Sequence, residues 1–576
     1  MNLTANSLNL SRFQSRSFVP KDVDLQNPQT VELLYQRLLE RPMASTKDLE
    51  RWLLERSELD AVLSQEGAIV YILMTCQTDD AKRTDAYKKF IETIEPIIKQ
   101  MDDKLNKRFF EAAKEHPLDK KRYGVYEREI KNELELFVEE NVALSTQEEL
   151  LGQEYQAICA AMTISFKGKE HTLPQMGKYL VELDRGLREK AWLKSAHRRL
   201  KDKGRLDDLF GRMLKLRTQM AKNAGFDNYR DYKFKALGRF DYTPQDCKHY
   251  HQTIERIVVP LMGRILEERK KKMKLDALRP WDLAVDPAAQ PPLKPFERVE
   301  ELVEGCKKIF SDMDEELGAH FALMADEGLL DLESRKGKAP GGYQHALHEA
   351  RLPFIFMNAV GLDSDMRTLL HEAGHAFHSL ACRHDPLFDY RHGPMEFNEV
   401  ASMAMEILPD ERISVFYNEE ETDRSISDHF KDVVFTLVWV AIVDCFQHWL
   451  YENPDHTPQQ RSQEWIRIRW RFGSGYVDWQ GLESEHEYLW HRQLHIFEVP
   501  FYYIEYGIAQ LGALQLWLTA KKDPKKALGH YKKALALGGS RTIPELYEAA
   551  GIRFDFSEKT IAPLMEAVME EWRKKT

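Results

Sequence analysis

Apolar residues recur at three- and four-residue intervals over most of the chain, the spacing of one buried helix face. After Ser45-Thr46-Lys47-Asp48, a capping box with Asp in place of Glu, the residues Leu49, Leu53, Leu54, Leu59, Val62 and Leu63 keep this rhythm. The same pattern predicts helices over 87–110, 123–138, 147–159, 176–200, 206–224 and 298–325, and from 366 to the C-terminus. Two stretches break it. Residues 162–166, the turn Lys167-Gly168-Lys169 and residues 171–173 predict a small hairpin. Residues 330–332 and 352–357 predict a short sheet, with a turn region from Lys338 through Gly341-Gly342-Tyr343 between them. Pro280, Pro287, Pro291, Pro292 and Pro295 mark the clearest loop or linker. The expected fold is mainly α, a large helical body with small β-hairpin and sheet elements. It divides into a helical N-terminal region, 1–200, with its hairpin near 162–173, and a second region, 201–576.

Composition narrows the class. The 576 residues are 43% hydrophobic and 30% charged, enough to bury a sizeable core and remain soluble. A net charge of −11 disfavours a general nucleic-acid binder, which usually carries a basic excess. The longest apolar run, 433–443, is about half the ~20 residues a membrane span requires. The N-terminus lacks an apolar signal core. Residues 1–20 carry no acidic side chain but do carry Ser7, Ser11, Arg12, Ser15, Arg16 and Ser17, a weak likeness to a transit peptide; they read as an ordinary N-terminal arm. Six cysteines, none in a CxxC spacing, read as reduced thiols of a cytoplasmic protein.

The chemistry concentrates at His371-Glu372-Ala373-Gly374-His375. On a helix, His371 and His375 at i and i+4 project from one face toward one ion. Glu372, one residue on, is placed to take a proton from the water such an ion activates. Gly374 would sit mid-helix, where it costs about 1 kcal/mol relative to Ala; a close backbone approach would account for it. Glu399, 24 residues beyond His375, begins an apolar helical pattern and is the expected third ligand. Glu396, in what reads as loop, is the alternative. Glu406 shares a helical face with Glu399 and is placed to hold the second nitrogen of a ligating histidine. Positions 378 and 381 are His378 and Ala381, which excludes the HExxHxxGxxH pattern of a metzincin. A His₂Glu site with an open fourth position is the catalytic zinc arrangement. His378 is either beside the metal, facing substrate, or simply packed. No GxSxG, Walker A or GxGxxG pattern offers a rival chemistry.

Thr368-Leu369-Leu370-His371-Glu372-Ala373-Gly374-His375-Ala376-Phe377-His378, with Asn398-Glu399-Val400-Ala401-Ser402-Met403, resembles the thimet oligopeptidase and oligoendopeptidase F family of zinc metallopeptidases. Asp184-Arg185 through Arg188, Arg279-Pro280-Trp281-Asp282-Leu283, Gly341-Gly342-Tyr343 and Gly538-Gly539-Ser540 resemble the oligoendopeptidase F branch. The resemblance implies a helical body with a deep central channel, one zinc ion per chain and short peptides as substrates, with folded proteins excluded. It makes 201–576 the catalytic region. It also implies that His495 and a tyrosine among Tyr502, Tyr503 and Tyr506 face the metal and stabilise an oxyanion. Tyr502 and Tyr506 share a helical face while Tyr503 points about 100° away, and the choice among them stays open. The strand carrying Phe354, Phe356 and Asn358, beside Gly342 and Tyr343, either offers a free edge to an extended peptide or is a plain core strand. The expected function is a zinc endopeptidase of oligopeptides with no nucleic-acid or membrane partner. A zinc carboxypeptidase or peptidyl-dipeptidase on a similar channel, and a peptide-binding protein without catalysis, are the alternatives. No oligomeric state is legible.

Overall fold

A computed structural model describes residues 10–575, so Ser7 and the first part of the 1–20 arm lie outside the described residues. The chain is 69% helix with two small sheets. A smaller hydrophobic core is built by the helices Pro28–Leu39, Thr46–Cys76, Ala81–Thr93, Glu95–Glu115 and Lys120–Leu136, and is completed by Leu387 and Tyr390. A larger core runs from Ala68 to Trp572. Helix Thr46–Cys76 belongs to both, with Trp52, Leu53 and Leu63 in the first and Ala68, Ile69 and Ile72 in the second. Ser45 caps it, its hydroxyl accepting from the Asp48 N–H at 3.2 Å.

Several expected helices are interrupted, each for a local reason. The 87–110 helix is two, Ala81–Thr93 and Glu95–Glu115, because Pro96 lacks an N–H and starts a new helix. The 298–325 helix breaks at Asp314, whose carboxylate accepts from the N–H groups of Glu316 and Leu317 and opens Glu315–Asp326. Within 176–200 the long regular helix is Arg185–Leu200, opened by Asp184. The proline-rich stretch is no linker: Trp281, Val285, Leu293 and Phe296 are buried.

Strands β1 (Thr163–Phe166) and β2 (Lys169–Thr172) form the expected hairpin, with Lys167 and Gly168 both at positive φ in its two-residue turn. The second sheet is β3 (Leu330–Glu333), β4 (Tyr343–Leu347) and β5 (Leu352–Ala359) in the order β3-β5-β4. Two expectations are corrected here. The segment after Gly342 is a strand and not only a turn; its mixed Tyr-Gln-His-Ala-Leu composition hides the alternation that marks strands. And β5, which carries Phe354, Phe356 and Asn358, is the central strand, parallel to β3 and antiparallel to β4. Both of its edges are taken, so it offers no free edge to a peptide. The Asn358 amide donates to the carbonyls of Ala339 and Gly341. The two outer edges belong to β3 and β4.

The apolar run 433–443 lies inside helix Glu419–Glu452. This helix and Thr46–Cys76 are long and apolar enough to cross a membrane, but 72% and 67% of their most apolar windows are buried within the protein, as core helices are. In the core beneath, Asp444 Oδ2 lies 2.8 Å from His251 Nε2, with His448 and Cys247 alongside. Cys247, Asp444 and His448 are close enough to share an ion, but His251 already answers the buried carboxylate. Burial opposes charging His251, yet its hydrogen bond to Asp444 lifts its pKa to about 9. A pKa raised on folding stabilises fully below the unfolded value near 6.5, and the contribution is lost as pH rises through 9. The gap in urea midpoint between the wild type and His251→Gln is therefore expected to close between pH 7 and 10; a constant gap would contradict the ion pair.

Candidate metal centre

The helix Asp363–Cys382 carries the HExxH motif and packs on β4 and β5. Its start is fixed by Asp365, whose Oδ2 accepts the N–H groups of Val360, Gly361 and Leu362 at 2.7–2.8 Å. Its other face meets helix Met395–Ile407. At the crossing, a Cβ on Gly374 would lie 2.4 Å from the Ala401 carbonyl oxygen and 2.6 Å from Ser402 Cα. The glycine is what allows the two backbones to meet, and their meeting brings Glu399 up to the histidines.

Glu399 Oε2 lies 3.4 Å from His371 Nε2 and 3.5 Å from His375 Nε2. Zinc bonds of 2.0–2.1 Å in a tetrahedron give edges of about 3.3 Å, so the donor set fits that ion in both chemistry and size. Glu399 is held from two sides: Ser402 Oγ donates to Oε2 at 2.9 Å, and the Tyr502 hydroxyl donates to Oε1 at 2.5 Å. His371 Nδ1 faces Glu406 Oε1 at 2.6 Å, which turns Nε2 toward Glu399. Behind it, Glu406 meets His429, Asp410 meets Arg367, and Arg367 donates to the Glu406 carbonyl. Burial disfavours every charge here, but the partners prevail. His375 and His371 hold Glu399 well below the usual carboxylate range, and His371 with His429 holds Glu406 down at about 2. Glu399 and Glu406 raise His371.

Glu372 is 5% exposed and its Oε2 has no hydrogen-bond partner among the described residues. Its Oε1 would lie 3.4 Å from a Cβ on Gly342, so the start of β4 borders this carboxylate. Burial raises its pKa against the pull of the two histidines. Tyr343 stacks on Phe356 at 4.7 Å and its hydroxyl meets Thr75 Oγ1 at 2.6 Å, tying the sheet to helix Thr46–Cys76.

The segment after His495 turns through Phe501, a buried residue at φ 67, into helix Ile504–Ala520. Left-handed backbone is costly for a bulky residue. It is held by Gln447, which accepts the Phe501 N–H at 2.8 Å, and by Arg239, which donates to its carbonyl. The turn presents Tyr502 to Glu399, and Tyr506 to His495 Nε2 at 3.1 Å. Tyr503 faces His495 edge-on instead and borders Trp439 and Gln493. Glu396 sits in the first turn of its helix, not in loop, and points away from the histidines toward Arg239. His378 is buried against Phe397 and Gly393, with its pKa pushed down to about 3 by burial. Sequence reasoning missed Ser402, His429, Trp439 and Gln493. Only Ser402, one turn after Glu399, left a local signal.

Comparison with known proteins agrees in extent. A family model described as Peptidase family M3 matches residues 179–566, and one described as Peptidase M3 N-terminal domain matches 22–137. The oligopeptidase PepF of Bacillus subtilis is 26% identical over 307 residues, 51% of this chain and 44% of that protein. The chromosomal oligoendopeptidase F of Lactococcus lactis subsp. cremoris is 27% identical over 177 residues, 30% of this chain and 28% of that protein. The aligned stretches thus span less than half the length of these curated relatives. The solved structure of PZ peptidase A with an inhibitor superposes over 97% of this chain and 99% of its own, with a TM-score of 0.91 and 27% identity.

Proposed function

The chain belongs to peptidase family M3, in its oligoendopeptidase F-like branch, and on that premise we propose that it is a zinc-dependent endopeptidase cleaving short oligopeptides, with one catalytic ion per chain. The observation that carries this is the convergence of His371, His375 and Glu399 beside a buried Glu372 whose Oε2 has no partner. Zinc held there supplies a Lewis acid that polarises the scissile carbonyl and acidifies water. Glu372 takes the proton from the attacking water and passes it to the leaving amine. His495 and a tyrosine among Tyr502, Tyr503 and Tyr506 stabilise the oxygen that gains charge, the tyrosine through a donated hydroxyl proton.

The reading places substrate in a restricted channel between the N-terminal helices and the catalytic region, with the division falling near residue 200. A cavity of about 520 Å³ lies at that boundary, lined by Tyr71, Tyr87 and Lys99 from the N-terminal helices and by His345 of β4, and not by the residues of the metal centre themselves. Of the two edge strands, β4 begins beside Glu372, at Gly342, and its outer edge is the one this reading gives to an extended peptide. Six free cysteines support a cytoplasmic setting.

The deciding experiment is mass spectrometry of products from peptides of graded length, with and without a chelator. Internal cleavage of short peptides, lost with chelator and restored by zinc, is expected. Stepwise release of C-terminal dipeptides or single residues would instead indicate a peptidyl-dipeptidase or carboxypeptidase, and binding without products a non-catalytic protein. Glu406 gives a second test. Removing the partner of a ligating histidine typically costs 10–100-fold in metal affinity. Glu406→Ala is expected to lose zinc to a competing chelator at correspondingly lower concentration; unchanged retention would deny Glu406 that role.

A further inference from the structure

We infer that Trp439 and Gln493 set the direction of the hydrogen bonds through His495, so that Tyr506 presents its hydroxyl proton to the reacting oxygen. This rests on the peptidase reading above. The Trp439 indole Nε1 lies 2.9 Å from Gln493 Oε1. An indole N–H only donates, so the carboxamide oxygen faces Trp439 and the amide NH₂ faces the other way. That NH₂ lies 2.8 Å from His495 Nδ1. An NH₂ also only donates, so Nδ1 must be the bare, accepting nitrogen. A neutral imidazole carries a single N–H, and here it sits on Nε2. Nε2 is 3.1 Å from the Tyr506 hydroxyl oxygen. Tyr506 therefore accepts from the imidazole and keeps its own proton free to donate.

The chain of donors thus runs one way, from indole to amide to imidazole to phenol. Tyr502 cannot serve in the same way while its proton is engaged by Glu399 Oε1. The Tyr503 hydroxyl borders Trp439 and Gln493, and Glu399 acts on it only through its charge. The groups facing His495 are the Gln493 amide, the rings of Tyr502, Tyr503 and Tyr506, and the more distant Glu399 charge. Among the described residues no carboxylate contacts Nδ1, and burial brings the imidazole down to about 4, so it remains neutral near pH 7. Among the described residues, Gln493 is the group on Nδ1 that selects between its two tautomers. With the opposite tautomer, Nε2 would accept a hydrogen bond from the Tyr506 hydroxyl, leaving only the phenol oxygen's lone pairs toward the developing negative charge. Trp439 and Gln493 are positioning residues, acting through His495 and Tyr506.

Gln493→Glu tests the direction. A carboxylate accepts from both Trp439 and His495 and so holds a proton on Nδ1; it also makes the ring more basic, as Asp444 does for His251, so the comparison is made above the pH at which the spectra show the ring losing its second proton, where Nε2 is bare and the chain is reversed. Loss of one oxyanion donor costs about 10²–10³-fold in kcat. A fall of that order is expected, with KM changed less than about threefold and the zinc content unchanged. Trp439→Phe, which only frees the amide to rotate, is expected to cost less, with KM again held. Independently of turnover, ¹⁵N spectra of histidine-labelled protein, with His495 assigned by difference from His495→Gln, should show Nδ1 bare in the wild type and protonated in Gln493→Glu. Wild-type kcat in Gln493→Glu, or a protonated Nδ1 in the wild type, would overturn the inference while leaving the peptidase reading intact. A wild type that cleaves no peptide would overturn the reading itself, and the spectrum would still decide the tautomer.

Discussion

Glu372→Gln should bind zinc as the wild type does and lose nearly all turnover. The substitution keeps the shape of a buried side chain and its place between His371 and His375, so neither the helix nor the ligand set is disturbed. It removes the one function an amide cannot perform, accepting a proton. General acid–base catalysis contributes about 10²–10⁴-fold, and here one residue is asked to act in both directions, so the upper part of that range is expected. Since the loss falls on the transition state, kcat and kcat/KM should drop together with KM nearly unchanged. Steady-state kinetics on a peptide substrate, with metal content measured on the same preparation, checks this. A fully active, metal-loaded variant would remove Glu372 from the mechanism.

Gly374→Ala should be the most damaging single-methyl change in the site. Helix propensity alone argues for a gain of about 1 kcal/mol. The crossing of the two helices reverses the sign. The new Cβ would meet a backbone carbonyl oxygen at 2.4 Å and a Cα at 2.6 Å, and backbone cannot rotate out of the way as the end of a side chain can. Overpacking of this kind costs about 1–3 kcal/mol. The element that has to shift is the helix bearing both Glu399 and Glu406, so metal affinity should fall along with stability. Thermal unfolding with and without chelator separates the two effects. A variant as stable and as metal-loaded as the wild type would show that the helices do not meet at this residue.

Much of the site was legible because its chemistry is local. The i, i+4 pair of histidines, the adjacent Glu372 and the mid-helix glycine are set by a period of 3.6 residues, which a sequence displays directly. Glu399 and Glu406 were legible for the same reason, as two positions on one face of a second helix. Glu396 shows the limit of such reasoning. It lies one turn before Glu399 on the same helix, yet points to Arg239, and only the packing of that helix decides which carboxylate meets the histidines.

The sequence by itself determined the helical class, the hairpin at Lys167-Gly168, the i, i+4 pair of histidines and the place of Glu372 beside it, because each depends on spacing within one element. Tertiary structure alone decided which strands lie at the edges of the sheet. Leu330–Glu333 and Tyr343–Leu347 enclose β5 from both sides, and strand order depends on contacts between distant segments. It alone separated three neighbouring tyrosines, through the left-handed turn at Phe501. It alone joined Trp439 to Gln493 across 54 residues of chain. The direction of a hydrogen bond belongs to a pair of groups, and no pattern along one segment records which partner the fold will supply.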